Sequence, residues 1–237
     1  MTSSASFRFY AQLNDFLSPR YKEANFAYSF AGSPAIKDTI EAIGVPHTEV
    51  GLIVVNGDPV GFDYRLRVGD RVAVYPPFRC LNPDERAPAF VADVHLGRLA
   101  AYLRMLGFDT LYTRDYDDET LANISANEGR ILLTQDIGLL KRKIVTLGCF
   151  VRETDPWRQL EEILRRFDLM NVAARFYRCT QCNGELHTVD KAAIADQLMP
   201  ETRQYYDEFK RCAGCGKIYW RGSHYERLDQ FLASLKA

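Results

Sequence analysis

At 237 residues the chain is longer than the commonest domain size, so two or three domains are expected. Apolar residues make up 47% and charged residues 26%, as in an ordinary folded soluble protein, and no apolar run approaches the roughly 20 residues of a membrane helix. The net charge of −1 leaves no block basic enough to declare nucleic-acid binding from charge alone. "MTSSASFRFY" lacks the apolar core of a signal segment, so a cytoplasmic protein is expected.

The first elements run strand, strand, helix, strand, strand. "FRFYAQL" alternates around Phe7, Phe9 and Ala11, and "NFAYSF" around Phe26, Tyr28 and Phe30. Ser33 before Pro34 predicts an N-cap with proline at the first helical position. Ile36, Ile40 and Ile43 share one face of that helix, which Gly44 and Pro46 close. "LIVVNGDPV" carries a turn signal at Asn56-Gly57, "DRVAVYPPF" ends the unit, and "CLNPDERAP", with Pro83 and Pro88, reads as a linker. The order resembles a ubiquitin-like β-grasp, especially the small sulfur carriers of thiamine and molybdopterin synthesis. Those act through a free C-terminal Gly-Gly. Here "VYPPFRC" stands in that place and the chain continues, which favours a binding or packing module over a sulfur carrier.

From residue 88 the rhythm changes to strands alternating with helices. "AFVAD", "FDTLY", "RILLT" and "GCFVRE" are short apolar strands. "LGRLAAYLRMLG", "DETLANISANEG", "IGLLKRKI" and "DPWRQLEEILRRF" are the intervening helices. That alternation implies a parallel sheet with helices packed on its faces. In such a sheet every strand ends on the same edge, where open α/β sheets bind ligands. The strands deliver Asp93, then Asp115, Asp117 and Asp118, then Asp136, then Asp155 to that edge. Two readings stand side by side. Aspartate is a favoured N-cap, above all Asp155 before Pro156; alternatively, mutually repelling carboxylates mark a cation site.

Cys179-x2-Cys182 and Cys212-x2-Cys215 have the spacing of two zinc-ribbon knuckles. Four thiolates close a tetrahedral shell, so the expected zinc is structural. The segment between them, "TVDKAAIADQLMPETRQYYDEF", is helical in part. Cys80 and Cys149 have no visible partner and read as unpaired thiols. "KIYWRGSHYERL" mixes Tyr219, Trp220 and Tyr225 with Arg221 and Arg227, which suits either stacking on unpaired bases or the core of a small domain.

Residues 90–168 resemble the PIN-like ribonuclease domain found at the C-terminus of the mutator exonucleases. The likeness is carried by "FVADVHLGRLAAYLRMLGFDT", "DDETL", "GRILLTQDIGLL" and "DPWRQLEEIL". The family's zinc-ribbon tail is matched by "YRCTQCNGEL…CAGCGKIYWRGSHYERL", and an N-terminal β-grasp is a frequent attachment. The resemblance implies an α/β protein of three parts: a ubiquitin-like β-grasp (1–83), a PIN-like parallel-sheet domain (88–172) and a zinc ribbon (173–237). It also implies hydrolysis of RNA at a Mg²⁺ or Mn²⁺ site. There Asp93, Asp118 and Asp136 are catalytic ligands, Asp117 is the positional rival of Asp118, and Asp155 a weaker fourth. Arg98 and Arg104 match the family's "GRLA…LR" pattern and are expected to bind substrate. Gln135 replaces a frequent arginine, with Lys141, Arg142 and Lys143 following; His95 replaces a nonpolar residue and is expected to be structural or exposed. The alternative function is a noncatalytic RNA-binding or ribosome-associated adaptor. RNA is the expected partner, with a protein partner for the β-grasp and no membrane.

Overall fold

The computed structural model describes residues 3–77, 87–171 and 177–236. Cys80 and most of the expected linker lie outside them. Residues 3–77 build a five-stranded sheet from β1 (Ser3–Phe9), β2 (Phe26–Phe30), β3 (Leu52–Val55), β4 (Asp58–Val60) and β5 (Arg71–Tyr75), in the order β2-β1-β5-β3-β4. β1 and β5 run parallel and the other pairs antiparallel, the β-grasp arrangement. Alternation along the strands turns Phe7, Phe9, Val72 and Val74 into a core shared with Ile36 and Ile40 of α1 (Ile36–Ile43). Asn56 and Gly57 both have positive φ, +55° and +105°, as the tight hairpin joining β3 to β4 requires. Ser33 is not the cap of α1. Ala35 occupies that place, and Ser33 Oγ instead donates to the Leu66 carbonyl at 3.0 Å. The chain stays extended through Pro34 because Ala35 bridges Arg65 and the Ile36 amide donates to Tyr64.

The second sheet has the order β7-β6-β8-β9 and is parallel throughout. Its strands are β6 (Phe90–Ala92), β7 (Thr110–Leu111), β8 (Ile131–Thr134) and β9 (Gly148–Phe150). Both faces are covered, as near-continuous apolar strands demand. Phe90, Ala92, Ile131 and Leu133 pack with Leu99 and Leu103 of α2 (Gly97–Met105) and with Leu160 and Ile163 of α5 (Pro156–Arg166). Val91 and Leu132 face the other way, onto Leu121 of α3 (Asp118–Glu128) and Leu139 and Leu140 of α4 (Ile137–Leu140). The helix expected through Ile144 lasts a single turn, because Val145 turns in beneath Leu139 and Leu140.

The cysteine-bearing segment forms a three-stranded antiparallel sheet, β10 (Leu186–Val189), β11 (Phe209–Cys212) and β12 (Ile218–Trp220). Between β10 and β11 lie α6 (Lys191–Ile194) and α7 (Pro200–Tyr205), the expected partly helical insertion. The final helix, α8 (Ser223–Lys236), returns to the α/β domain, where Leu228 and Leu232 enter the core beside α2 and α5. Among the described residues no helix is long and apolar enough to cross a membrane.

The β-grasp docks on the α/β domain through buried charge. Glu49 is 0% exposed, and its carboxylate accepts the Phe150 amide at 2.7 Å and meets Arg152 at 3.2 Å and Arg166 at 2.9 Å. His47 lies between the Glu41 carboxylate and the Val145 carbonyl, and Lys141 donates to the Glu41 carbonyl at 2.6 Å. Such a carboxylate is tolerable in the interior only because two guanidinium groups and an amide meet it.

Candidate active site and zinc centre

The register of β6 and β8 sets Ala92 opposite Leu133, so the next residues, Asp93 and Thr134, emerge side by side at the C-terminal edge. Thr134 Oγ1 donates to Asp93 Oδ2 at 2.7 Å and accepts the Asp136 amide at 2.9 Å. One fully buried hydroxyl thus links the two aspartates. Asp93, 8% exposed, also accepts the Val94 amide on Oδ1 at 2.6 Å. Asp136 Oδ1 accepts the amides of Gly138 and Leu139 at 2.6 and 3.2 Å, capping α4. A Cβ on residue 138 would stand 3.1 Å from that oxygen, so glycine keeps the cap close. Asp136 Oδ2 takes no hydrogen bond from the described residues. Sequence reasoning did not single out Thr134, although it is the threonine of "GRILLTQDIGLL", two residues before Asp136.

The other acids stand on their own helices. Asp117 caps α3 through the Thr120 amide at 2.8 Å; that hydrogen bonding, with Arg142 nearby, holds its carboxyl below the usual carboxylate range. Asp118 opens α3 and is exposed. Asp155 caps α5 through the amides of Trp157 and Arg158 at 3.0 and 3.1 Å. Among the described residues, the four cysteines alone form a group of three or more metal-type side chains with ligand atoms within 4.8 Å of one another. The structure therefore joins Asp93 to Asp136 and leaves Asp117, Asp118 and Asp155 outside that pair.

The basic residues divide sharply. Arg98 and His95 are exposed and line a cleft at the N-termini of α2 and α5, together with Tyr112, Thr154 and Arg114. Arg114, just past β7, escaped the sequence reading because a single loop arginine has no pattern. Arg104 requires a correction. It is 3% exposed, and its guanidinium donates to the carbonyls of Thr110, Thr180, Gln181 and Tyr112, so it pins the first cysteine loop to the sheet edge and offers no face to a phosphate. Gln135 likewise serves the fold, donating to the carbonyls of Val151 and Glu153.

The cysteine set has the geometry of a closed metal shell. Cys179 and Cys215 sulfurs are 3.6 Å apart, and those of Cys182 and Cys212 3.4 Å. Sulfurs about 2.3 Å from a tetrahedral zinc stand ~3.8 Å apart. The amides of Cys182, Gly214 and Cys215 point at Cys179 or Cys212 sulfur, at 3.3 to 3.5 Å, which steadies thiolate charge. The donor set fits structural zinc. Cys149 is a different case: burial pushes its thiol up to about 12, leaving it protonated and inert.

A family model described as Mut7-C ubiquitin matches residues 2–82, and one described as Mut7-C RNAse domain matches residues 88–232. Two solved structures of small archaeal modifier protein 1 from Haloferax volcanii are similar at 14% and 15% identity. They cover 32% and 33% of this chain and 99% of their own, with TM-scores of 0.26 and 0.27. The β-grasp assignment rests on the family model and the strand order, not on that distant likeness. No curated protein matches the chain. The RNAse-domain match runs past the cysteines into α8, as the shared core of α2, α5 and α8 would lead one to expect. The chain belongs to the Mut7-C RNAse domain family, and carries a Mut7-C ubiquitin-like domain ahead of that unit.

Proposed function

We propose that the protein is a cytoplasmic, metal-dependent ribonuclease that hydrolyses RNA phosphodiesters at the Asp93–Asp136 edge. The observation that carries this is the buried Thr134 hydroxyl, which holds the Asp93 carboxylate and the Asp136 backbone amide at neighbouring strand ends, while the α4 cap holds Asp136 Oδ1 and leaves Oδ2 unengaged among the described residues. Hard divalent ions take oxygen ligands, and Mg²⁺ is commonly bound through one or two carboxylates plus waters, so this pair suits Mg²⁺ or Mn²⁺. When bound, such an ion supplies Lewis acidity toward phosphate and a more acidic water. Asp93 and Asp136 are the principal ligands, each held in one rotamer by amide donors. Asp118 is the third acid, with Asp117 as its rival and Asp155 as a weaker fourth. Arg98, with Arg114 across the cleft, neutralises substrate phosphate, aided by the positive ends of α2 and α5.

The test is RNA cleavage by protein freed of Mg²⁺ and Mn²⁺ but retaining zinc, then titrated with either ion, using single-stranded and structured RNAs. Cleavage that appears with the ion and disappears in Asp136→Asn supports the proposal. Asparagine caps helices as well as aspartate, so a merely structural Asp136 would tolerate that change. One observation favours a second reading, the noncatalytic RNA-binding or ribosome-associated adaptor. Asp117, Asp136 and Asp155 each cap a helix, which is reason enough for an aspartate to be there. RNA binding without cleavage at any ion concentration would decide for it.

A further inference from the structure

Between α2 and the cysteine-bearing sheet lies an open cleft of about 350 Å³. Small-ligand sites typically enclose roughly 300–1,000 Å³. Aromatic rings line it from three elements: Tyr102 of α2, Tyr219 and Trp220 of β12, and Tyr225 of α8. Several of these rings are braced from behind. Tyr102 stacks on Trp157, centroids 4.3 Å apart and planes 21° apart, and Trp157 in turn leans on Phe231 at 4.8 Å. The Tyr219 hydroxyl contacts Cys179 Sγ at 3.0 Å and Thr180 Oγ1 at 3.2 Å, so the zinc knuckle holds that ring. A Cβ at Gly222 would stand 2.9 Å from Trp220 Nε1, so glycine there leaves room for the indole. Rings held this way lose little freedom when a planar ligand slides among them.

The charge around the cleft has one sign. Arg178 and Lys217 line it, and no acidic residue does among those described. Lys217 Nζ lies 5.6 Å from the Tyr219 ring centroid, and Arg221 5.5 Å from that of Tyr225. Arg178 is itself held, donating to the Asn183 carbonyl at 3.0 Å and lying 3.5 Å from the Asp109 carboxylate, so Lys217 is the exposed cation on the rim. Aromatic planes flanked by cations are the means by which proteins hold unpaired bases and the phosphates beside them. An apolar peptide would have no use for cations alone.

The cleft shares helix α2 with the basic cleft at the proposed cleavage edge. Tyr102 and Arg98 are four residues apart on one face of α2, a rise of ~6 Å. Arg98 lines the cleft at the N-termini of α2 and α5, which follow Asp93 and Asp155, and Tyr102 lines the aromatic one. We propose that the aromatic cleft is a subsite for an unpaired nucleobase of the RNA strand whose phosphate lies at the Asp93–Asp136 edge. This rests on the ribonuclease reading and gives it a substrate class, single-stranded RNA without strong base preference.

The experiment uses the full chain with its zinc and no added Mg²⁺ or Mn²⁺. A fluorescein-labelled oligouridine of about ten nucleotides and an RNA duplex are titrated by anisotropy, with cleavage in Mn²⁺ measured separately. Tyr102→Leu is expected to weaken oligouridine binding about tenfold, since removing one stacked ring costs roughly 1–3 kcal/mol, and to leave duplex binding unchanged. Tyr102→Phe should restore it. If Tyr102→Leu fails to fold, Lys217→Ala on the exposed rim carries the test, with about threefold weaker binding and a shallower salt dependence expected. Oligouridine bound equally by wild type and these variants, with cleavage intact, overturns the subsite and spares the ribonuclease reading. Cleft-dependent binding with no cleavage spares the subsite and overturns the nuclease. No RNA binding overturns both.

Discussion

The protein holds two sets of potential metal ligands, and the fold treats them differently. The four cysteines converge with all sulfurs within 4.8 Å. The aspartates at the sheet edge pair only as Asp93 with Asp136, through Thr134, while Asp117 and Asp155 cap separate helices. The cysteines sit in two CxxC turns, each delivering two sulfurs from one short loop, so convergence needs only that two loops meet. The acids lie on different strand-to-helix connections, and their distances depend on strand register, helix start and side-chain caps together. The difference teaches that local spacing assembles the cysteines, whereas tertiary register assembles the acid pair; on the proposed function, disturbing the first should fail structurally and disturbing the second only in function.

The largest effect should come from the cysteines. Cys179→Ser, or removal of zinc by a strong chelator, is expected to unfold the β10–β12 sheet and loosen α8. Structural zinc contributes on the order of 10 kcal/mol of apparent binding free energy in zinc-finger peptides. Zinc content by elemental analysis and hydrogen exchange across 177–236 measure this. A variant that kept its zinc and its exchange protection would erase the contrast between the two sets.

The buried Glu49 serves as a control for what an acid does when it is purely structural. Glu49→Ala leaves Arg152 and Arg166 without their shared partner and should destabilise the protein by about 3–5 kcal/mol, read by denaturant unfolding. Cleavage per folded molecule should be unchanged.

Asp136→Asn should do the reverse. Stability is expected to hold within about 0.5 kcal/mol, because the two residues rank equally as caps, while metal-dependent cleavage falls by on the order of 100-fold or more. Asp155→Asn is the matched comparison and should change neither greatly. Equal rate losses in the two variants would move Asp155 into the ligand set, and unchanged cleavage in Asp136→Asn would falsify the metal-ligand role.

The smallest effect concerns Asp109, which joins the two regions. Burial works to raise its carboxyl pKa, but hydrogen bonds from Arg130 and Asn183 and the nearby Arg178 outweigh it and hold it below the usual carboxylate range. A depressed folded pKa contributes stability that is fully present above the unfolded value near 3.9 and is lost as pH falls through the folded one. The seam between the ribbon and β7 should therefore weaken below about pH 4. Asp109→Asn should flatten that acid limb, seen as a smaller change in amide protection around Asn183 and Thr110.

Much of the architecture was legible because it follows from period and local chemistry. Period-two strands around Phe7 and Phe9, the Asn56-Gly57 turn and the strand–helix alternation from Phe90 to Arg166 each depend on neighbours a few residues away. The CxxC pairs are equally local. Ser33 misled because its hydroxyl was taken by Leu66, a partner far along the chain that no cap motif reveals. Arg104 misled for the same reason: its helical spacing matched a substrate-facing pattern, yet folding brings the carbonyls of Thr180 and Gln181 onto it.

By itself the sequence determined the three-part layout, the zinc-type cysteine set and the placement of acids at one sheet edge. Only tertiary structure decided that Thr134 couples Asp93 to Asp136, that Glu49 and Lys141 fasten the β-grasp, and that Tyr102 faces β12 across a cleft. Those features pair groups on separate strands and domains, and their distances come from strand register, helix packing and domain docking, none of which is carried by residue spacing along the chain.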